Sequence, residues 1–259
     1  MEIKMILAVD VGNTHIVLGC IENNEIVSTD RLETDELKTE SEYAVLLKGI
    51  FEFNNINPAG FEGAILSSVV PPINAALKSA IKKVTGCDTM VVGSGIKTGL
   101  NILIDNPAAT GGDLVAAAVS ALSKYKTPLI VIDMGTATTF TALAGKADFL
   151  GGAIFPGLGI SVSTLSSSTS LLPTVSFEAP PKCISTSTVD CMKSGAVYGS
   201  ASLIDGMIER MEAELGGKAT VVATGGLSGL IIPYCKHEIH HEADLLLRGL
   251  AIIYNKNKK

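Results

Sequence analysis

The chain has 259 residues and a formal net charge of −6, with 47% hydrophobic and 18% charged residues. This length allows one large domain or two of roughly 100 to 150 residues, with enough apolar residues for a buried core. The acidic balance argues against a nucleic-acid partner, and no stretch reaches the roughly 20 apolar residues of a membrane-spanning helix. The five cysteines are odd in number and lack a CxxC pair, which indicates buried thiols in a reducing cytoplasm rather than disulfides.

The first half of the chain predicts paired strands followed by alternating helices and strands. Apolar runs at 6–9, 16–21 and 25–27, separated by short polar turns, are typical of a strand meander. The first run meets an aspartate at once, so it is too short for a secretory signal. Apolar periodicity and turn residues then predict a helix at 41–53, a strand at 64–70, a helix at 73–84, a strand at 90–92 and a helix at 112–122.

The pattern restarts in the second half of the chain. Strands are predicted at 129–132, 140–144 and 220–224, and helices at 189–197, 202–215 and 243–254. Four apolar residues followed by Asp-x-Gly and a nearby threonine occur twice, at Asp10 and at Asp133. A repeat of half the chain length indicates duplication. We therefore expect two similar α/β domains, residues 1–115 and 116–259, with the helix 112–122 as the bridge between them.

Each repeated turn has the composition of a phosphate loop. Gly12 and Gly135 accept backbone angles that bulkier residues resist, and a tight turn points successive N–H groups toward one anion. Asp10 and Asp133 have the same sign of charge as phosphate, so we expect them to bind a cation that the phosphates share. Glycines at 225–226, after a strand, suit a flat nucleoside. The sequence thus predicts that two loops hold ATP for phosphoryl transfer to a small molecule.

These motifs resemble the actin, sugar kinase and Hsp70 superfamily and, within it, the type III pantothenate kinase family. The resemblance implies duplicated ribonuclease H-like, or actin-like ATPase, domains with mixed sheets flanked by helices. It also implies ATP-dependent phosphorylation of pantothenate to 4′-phosphopantothenate, the first step of coenzyme A biosynthesis. It spans nearly the whole chain in order and rests on residues 10–14, 67–72, 97–101, 106–107, 133–139, 151–157, 172–173, 194–195 and 223–227.

The resemblance also implies roles for single residues. Asp113 matches the catalytic base, and Asp133 matches the ligand of a monovalent cation, K+ or NH4+. Pantothenate contacts are implied at Ile104, Gly111, Gly112, Asp113, Leu114 and Thr188. Contacts to ATP and Mg2+ are implied at Asp10, Val11, Gly12, Asn13, Thr14, His15, Ile16, Val17, Thr136, Gly225 and Gly226. The implied protein is a cytoplasmic homodimer whose acceptor site lies near the subunit interface.

The chemistry of phosphoryl transfer suits Asp113. The reaction requires positioned substrates, neutralised phosphate charge and a base for the hydroxyl proton. Asp113 precedes an apolar helix, whose dipole favours a carboxylate at this end. A plain helix cap is the alternative interpretation of the same residue.

Three positions depart from the family pattern, all on the acceptor side. Leu114 stands where the family has Arg, Ile104 where it has Tyr, and Ser-Thr-Ser-Thr at 185–188 where it has Gly-Lys-Asn-Thr. One lost hydrogen bond to a carboxylate weakens binding roughly ten- to over a hundredfold. Two alternatives therefore stay open: an ATP-binding homologue that acts as a regulator, and a kinase for another small hydroxyl compound.

A separate motif near the C-terminus suggests a different class of enzyme. Residues 237–241, His-Glu-Ile-His-His, match the H-E-x-x-H signature of zinc proteases. That signature requires a helix and a third ligand further along. Pro233 lies just upstream, and beyond Glu242 the one remaining acid is Asp244. We therefore expect a polar turn before the last helix.

Overall fold

The computed structural model describes residues 5–258. The strands are β1 (Met5–Val11), β2 (His15–Glu22), β3 (Glu25–Glu33), β4 (Phe61–Ser68), β5 (Thr89–Val91), β6 (Asn101–Ile102), β7 (Leu129–Met134), β8 (Ala137–Ala144), β9 (Asp148–Pro156), β10 (Thr220–Thr224) and β11 (His240–His241). The helices are α1 (Glu40–Phe53), α2 (Asn74–Thr85), α3 (Gly112–Lys124), α4 (Leu158–Ser167), α5 (Thr188–Ser194), α6 (Ser200–Leu215), α7 (Ser228–Ile231) and α8 (Leu245–Asn257). A π-helical turn, Gly195–Gly199, joins α5 to α6.

The two sheets repeat one topology. The first has the order β3-β2-β1-β4-β5, in which β1 to β3 form an antiparallel meander and β4 and β5 add parallel strands. The second has the order β11-β10-β7-β8-β9-β6, in which β7 to β9 form the meander and β10 and β11 add parallel strands. The predicted duplicated α/β fold with mixed sheets flanked by helices is confirmed.

The chain divides into two compact units. The first contains the chain up to Leu100, Asp105–Ser123 and the residues from Asp244 onward, and the second contains Asn101–Ile104 and Lys124–Ala243. The closing helix α8 thus belongs to the first unit. The division at 115/116 drawn from the repeat differs from these units, which assign residues 116–123 and α8 to the first unit and residues 101–104 to the second. As a boundary between duplicated domains it stays a prediction. Residues 1–4 of the predicted first domain and residue 259 of the predicted second domain lie outside the described part of the chain.

Close backbone approach explains why α8 joins the first unit. A Cβ on Gly19 of β2 would lie 2.8 Å from Leu247, and one on Gly63 of β4 would overlap the ring of Tyr254. On α8 itself, a Cβ on Gly249 would overlap the backbone of Ala116 in α3. Glycine at these positions lets α8 pack directly on the sheet and on α3. The opposite face of the sheet buries apolar residues of α1 and α2.

The second unit has its own apolar core. Ile130, Ile132 and Met134 of β7 pack in one cluster with Ile204 and Ile208 of α6. Leu158 and Val162 of α4 belong to the same cluster. Strand β7, which carries Asp133 near its carboxyl end, therefore packs against α4 and α6.

Most predicted elements are confirmed, with shifts at their ends. The strand at 25–27 extends to Glu33, and the two predicted helices at 189–197 and 202–215 run into each other through the π-helical turn. The sequence pattern does not predict β6, β9, α4, α7 or β11. The expectation of buried thiols is wrong for Cys183 and Cys191, which are exposed. Within residues 5–258, no helix is long and apolar enough to cross a membrane.

Candidate functional site

Asp10 lies near the carboxyl end of β1, at the start of the first repeated turn. It is half-buried and pairs in register with Ser67 of the parallel strand β4. The turn is closed by the N–H of Gly12, which donates to the carbonyl of His15 at 2.9 Å. The carbonyl of Gly12 accepts a hydrogen bond from the Thr34 hydroxyl at 2.7 Å, which ties the turn to the end of β3.

The residues predicted to contact ATP around this turn fall into two groups. Asn13, Thr14 and His15 are exposed and present polar groups to solvent. Val11 and Ile16 are buried in the sheet, and Val17 is half-buried beside Asp10. Val11 and Ile16 are each 0% exposed, so this pair supports the turn from the core of the sheet.

The second repeated turn copies the first. Asp133 is half-buried at the end of β7 and pairs with Thr224 of the parallel strand β10, as Asp10 pairs with Ser67. The N–H of Gly135 donates to the carbonyl of Ala137 at 3.0 Å, and Thr136 at the tip is exposed. Both turns thus combine a half-buried carboxylate with an exposed polar tip, a geometry suited to a phosphate–cation pair.

Two glycines hold the second turn in place. The N–H of Gly157 donates to the carbonyl of Thr136 at 3.0 Å, and a Cβ on Gly157 would overlap the carbonyl oxygens of Gly135 and Thr136. Gly225, the first glycine of the predicted adenosine element, has φ +96°, and a Cβ there would lie 2.6 Å from the backbone of Met134. The structure therefore brings the 225–226 turn and the second repeated turn together within one unit.

Ser228 and His241 anchor the 225–226 turn. The buried Ser228 hydroxyl lies 2.6 Å from the carbonyl of Gly225 and 2.9 Å from Nε2 of His241. A hydroxyl has one proton, and the shorter bond to the carbonyl uses it, so Nε2 of His241 is the donor in the second bond. The sequence gives no periodic signal for this pair, since the two residues are 13 positions apart.

The start of α3 lies at the carboxyl edge of the first sheet. A Cβ on its first residue, Gly112, would lie 3.0 Å from Oγ of Ser67. Asp113 follows and is half-buried, and its Oδ1 accepts a hydrogen bond from the N–H of Leu114 at 2.8 Å. The first unit therefore brings Asp10, Ser67 and the helix start that carries Asp113 to one edge. Gly111, the residue before α3, is half-buried.

The remaining predicted acceptor residues lie in different units. Leu114 is half-buried in the first unit, and Ile104 and Thr188 belong to the second. Ile104 lies next to Gly151 of β9, where a Cβ would be 3.5 Å from its Cγ2. Thr188 is the exposed first residue of α5 and lines a cavity of about 500 Å³ that also reaches Thr138.

The histidines of the H-E-x-x-H segment do not converge. His237 Nδ1 lies 2.8 Å from Oδ1 of Asp205. The ring of His240 stacks on that of Tyr125, with 4.9 Å between the ring centroids. His241 forms its hydrogen bond with Ser228. The segment contains the short strand β11 in place of a helix. In the described part of the chain, no group of three His, Cys, Asp or Glu side chains is placed to hold a metal ion. The zinc-protease alternative is therefore wrong.

This arrangement still fits a nucleotide-bound Mg2+. Mg2+ in kinase sites is held by one or two carboxylates together with substrate phosphates, so it requires no cluster of three protein ligands. Asp10 supplies one half-buried carboxylate beside a turn whose polar tip is exposed. The donor set has the oxygen chemistry that Mg2+ prefers.

A comparison with known families decides the identity. A family model described as type III pantothenate kinase matches residues 6–210. The chain belongs to the type III pantothenate kinase family. Among the curated type III pantothenate kinases, those of an Exiguobacterium species and of Moorella thermoacetica are each 42% identical to it, and each alignment covers 98% of this chain and 100% of the relative. As a member of the type III pantothenate kinases, the chain is a kinase that uses ATP and acts on a small molecule.

A solved structure supports the fold independently. A ROK family glucokinase from Streptomyces griseus, in complex with glucose and AMPPNP, superposes with a TM-score of 0.56 at 13% identity. The match covers 98% of this chain and 100% of the glucokinase. At this identity the likeness concerns the fold alone, and it agrees with the duplicated actin-like fold that the family resemblance implies.

Proposed function

We propose that the chain phosphorylates the primary hydroxyl of pantothenate with ATP and forms 4′-phosphopantothenate, the first step of coenzyme A biosynthesis. The observation that carries this proposal is the carboxyl edge of the first sheet. There Asp10 and the helix start with Asp113 adjoin Ser67, in a chain 42% identical over nearly its whole length to type III pantothenate kinases.

Asp113 acts as the base in this proposal. The acceptor hydroxyl oxygen forms a bond to the γ-phosphorus of ATP while the bond from that phosphorus to the bridging oxygen breaks, so ADP leaves. Asp113 takes the hydroxyl proton as that bond forms. The position of Asp113 in the first turn of α3 supports this role, because the dipole favours a carboxylate there.

The two repeated turns have different tasks in the proposal. Asp10 and the turn residues up to Val17 bind the phosphates and Mg2+, which neutralises phosphate charge. Asp133 binds a monovalent cation, K+ or NH4+, and Thr136 contacts ATP from the same turn. Gly225 and Gly226 admit the adenosine, a role supported by the packing of Gly225 on Met134, one residue before the Gly135 turn.

The acceptor side of the proposal consists of Ile104, Gly111, Gly112, Leu114 and Thr188. We also propose that the protein is a cytoplasmic homodimer. The dimer follows from the resemblance to the type III pantothenate kinases, and the second unit exposes apolar side chains of the kind that a partner subunit would cover. They include Ile154, Ile160, Leu165, Leu171, Ile184 and Val189. Light scattering on the purified protein measures the oligomeric state.

The alternative is an ATP-binding homologue that is a regulator or acts on another small hydroxyl compound. The observation that favours it is the acceptor side, where Leu114 and Ile104 offer neither the charge nor the hydroxyl of the family's Arg and Tyr. A regulator has no need of a base, however, and Asp113 is retained at the start of α3.

One experiment distinguishes the proposed pantothenate kinase from these alternatives. ADP release is measured with and without pantothenate at varied K+, for the wild type and for Asp113→Asn. We expect pantothenate-dependent turnover in the wild type and a loss of about 10²- to 10⁴-fold in kcat in the variant, with ATP binding retained. The control is Asp88→Asn, which makes the same chemical change at an exposed residue of the first unit. Tight ATP binding without turnover on any acceptor would favour the regulator.

A further inference from the structure

The first sheet contains a fully buried serine hydroxyl, that of Ser67. Ser67 is 0% exposed near the end of β4, and within residues 5–258 its Oγ has no partner. Buried hydroxyls are nearly always paired, because an unpaired one has lost its bonds to water and gained none. An unpaired hydroxyl that the fold retains therefore indicates a use outside the resting structure.

The place of Ser67 in the sheet indicates what that use is. Ser67 pairs in register with Asp10, and residues paired across neighbouring strands point their side chains to the same face, with backbones about 4.8 Å apart. On its other side, Oγ lies against Gly112, the residue before Asp113. In the described part of the chain, a buried polar atom without a partner also occurs on the half-buried residues Ser28, Asn74 and Thr89. Ser28 pairs with Cys20, Thr89 pairs with Ala64 and Asn74 begins α2, so none of them adjoins a predicted site residue in its sheet.

The second sheet repeats the arrangement with one difference. Thr224 is 1% exposed and pairs with Asp133, so a buried hydroxyl residue lies beside the aspartate in both copies. The Thr224 hydroxyl donates to the carbonyl of Ala243 at 3.4 Å, whereas that of Ser67 stays unpaired. The position is therefore common to both turns, and in the first turn the hydroxyl keeps its proton for another acceptor.

We propose that Ser67 is a positioning residue for Asp10, and that its hydroxyl donates a hydrogen bond to the Asp10 carboxylate when that carboxylate binds the nucleotide's Mg2+. This proposal rests on the proposed function of Asp10. A carboxylate that binds a cation is oriented by hydrogen bonds from neighbouring groups, and their removal typically lowers metal affinity or activity by about 10- to 100-fold. Ser67 is the buried donor that the fold places beside Asp10.

The test is Ser67→Ala, which removes the hydroxyl and adds no volume against Gly112. We expect the Mg2+ concentration for half-maximal ADP release to rise about 10- to 100-fold. At saturating Mg2+, kcat and the KM for pantothenate stay close to wild type. The thermal unfolding midpoint of the ligand-free protein stays unchanged or rises, because the lost hydroxyl made no bond there.

The control is Thr89→Val, which removes another unpaired buried hydroxyl from the same sheet, at the start of β5. We expect wild-type Mg2+ dependence for it. Wild-type Mg2+ dependence in Ser67→Ala overturns the proposal. So does a lower unfolding midpoint with an equal loss at every Mg2+ concentration, since that is the result of a purely structural hydroxyl.

The experiments distinguish an error in the proposed pantothenate kinase function from an error in the proposed role of Ser67. If the wild type shows no pantothenate-dependent ADP release, the proposed acceptor is wrong, and calorimetric titration of ATP at varied Mg2+ then tests Ser67 alone. Weaker Mg2+-dependent ATP binding in Ser67→Ala supports its positioning role, and equal binding refutes it.

Discussion

The backbone N–H of Gly157 donates to the carbonyl of Thr136 at 3.0 Å, which joins the end of β9 to the tip of the second repeated turn. Gly157 is buried and directly precedes α4, so this hydrogen bond connects the Thr136 turn to the start of α4. The second loop is therefore shaped by a residue 21 positions downstream as well as by its own glycine.

Replacing Gly157 by Ala should damage ATP binding. The new Cβ would overlap the carbonyl oxygens of Gly135 and Thr136, so the loop has to move. Overpacking of this kind costs about 1 to 3 kcal/mol, and we expect the KM for ATP to rise roughly 5- to 150-fold. Steady-state kinetics at saturating acceptor measures it.

The matched control for that substitution is Gly159→Ala, in which no atom of residues 5–258 lies within 4 Å of the added Cβ. It makes the same chemical change two residues along, in α4. We expect its KM for ATP to equal that of the wild type. Equal KM values for both variants would show that Gly157 does not shape the loop.

Restoring the family's arginine should strengthen pantothenate binding. Leu114 is half-buried beside Asp113, and Leu114→Arg supplies a cation for the carboxylate of pantothenate. A charge-assisted hydrogen bond contributes about 1.5 to 3 kcal/mol, so we expect the KM for pantothenate to fall roughly ten- to over a hundredfold. Leu114→Met is the uncharged control. An unchanged KM in Leu114→Arg would indicate that the acceptor binds elsewhere or is another compound.

The His241 ring should affect ATP binding through Ser228. Because Nε2 of His241 donates to the Ser228 hydroxyl, His241→Ala removes a bond that holds the 225–226 turn. One such bond contributes about 0.5 to 1.5 kcal/mol, and we expect the KM for ATP to rise roughly 2- to 13-fold with kcat unchanged. His241→Gln retains an N–H donor and should lie closer to wild type. Identical effects of Ala and Gln would contradict a role of the donated hydrogen bond.

The Asp205 carboxylate should make folding stability depend on acid pH. Burial raises the pKa of Asp205, but the ring of His237 and the backbone N–H groups of Lys236 and His237 outweigh it, so the pKa lies below the usual range. A carboxyl with a lower pKa in the folded state stabilises it above the unfolded pKa of about 4. That stability is lost as pH falls from about 4 through the folded pKa.

The corresponding variant is Asp205→Asn, measured by urea unfolding between neutral and acid pH. We expect it to be less stable at neutral pH by about 1 to 3 kcal/mol, because the N–H groups of Lys236 and His237 lose their charged acceptor. Its stability should also fall less on acidification. The exposed Asp88→Asn serves as the control and should keep the wild-type slope. A wild-type slope in Asp205→Asn would exclude Asp205 as the source.

Some of the structure follows from local sequence alone. An apolar run that ends in Asp-x-Gly predicts a strand and a tight turn, and both copies are present in the structure at Asp10 and Asp133. The missed elements have weak local patterns. Glycines at 151–152 interrupt the alternation expected of β9, and the serines of α4 are poor helix formers. The strand β11 consists of two exposed polar residues and forms because β10 offers it an edge.

The sequence by itself determined the duplication, the family and the residues at the tips of both turns, because these depend on neighbours in the chain. Tertiary structure alone decided that α8 joins the first unit, that Gly157 bonds to Thr136, and that the buried Ser67 hydroxyl beside Asp10 has no hydrogen-bond partner among residues 5–258. Each of these facts depends on contact between segments far apart in the chain. Strand pairing and close packing create such contacts. The periodicity of a short segment does not determine which distant residue will contact it.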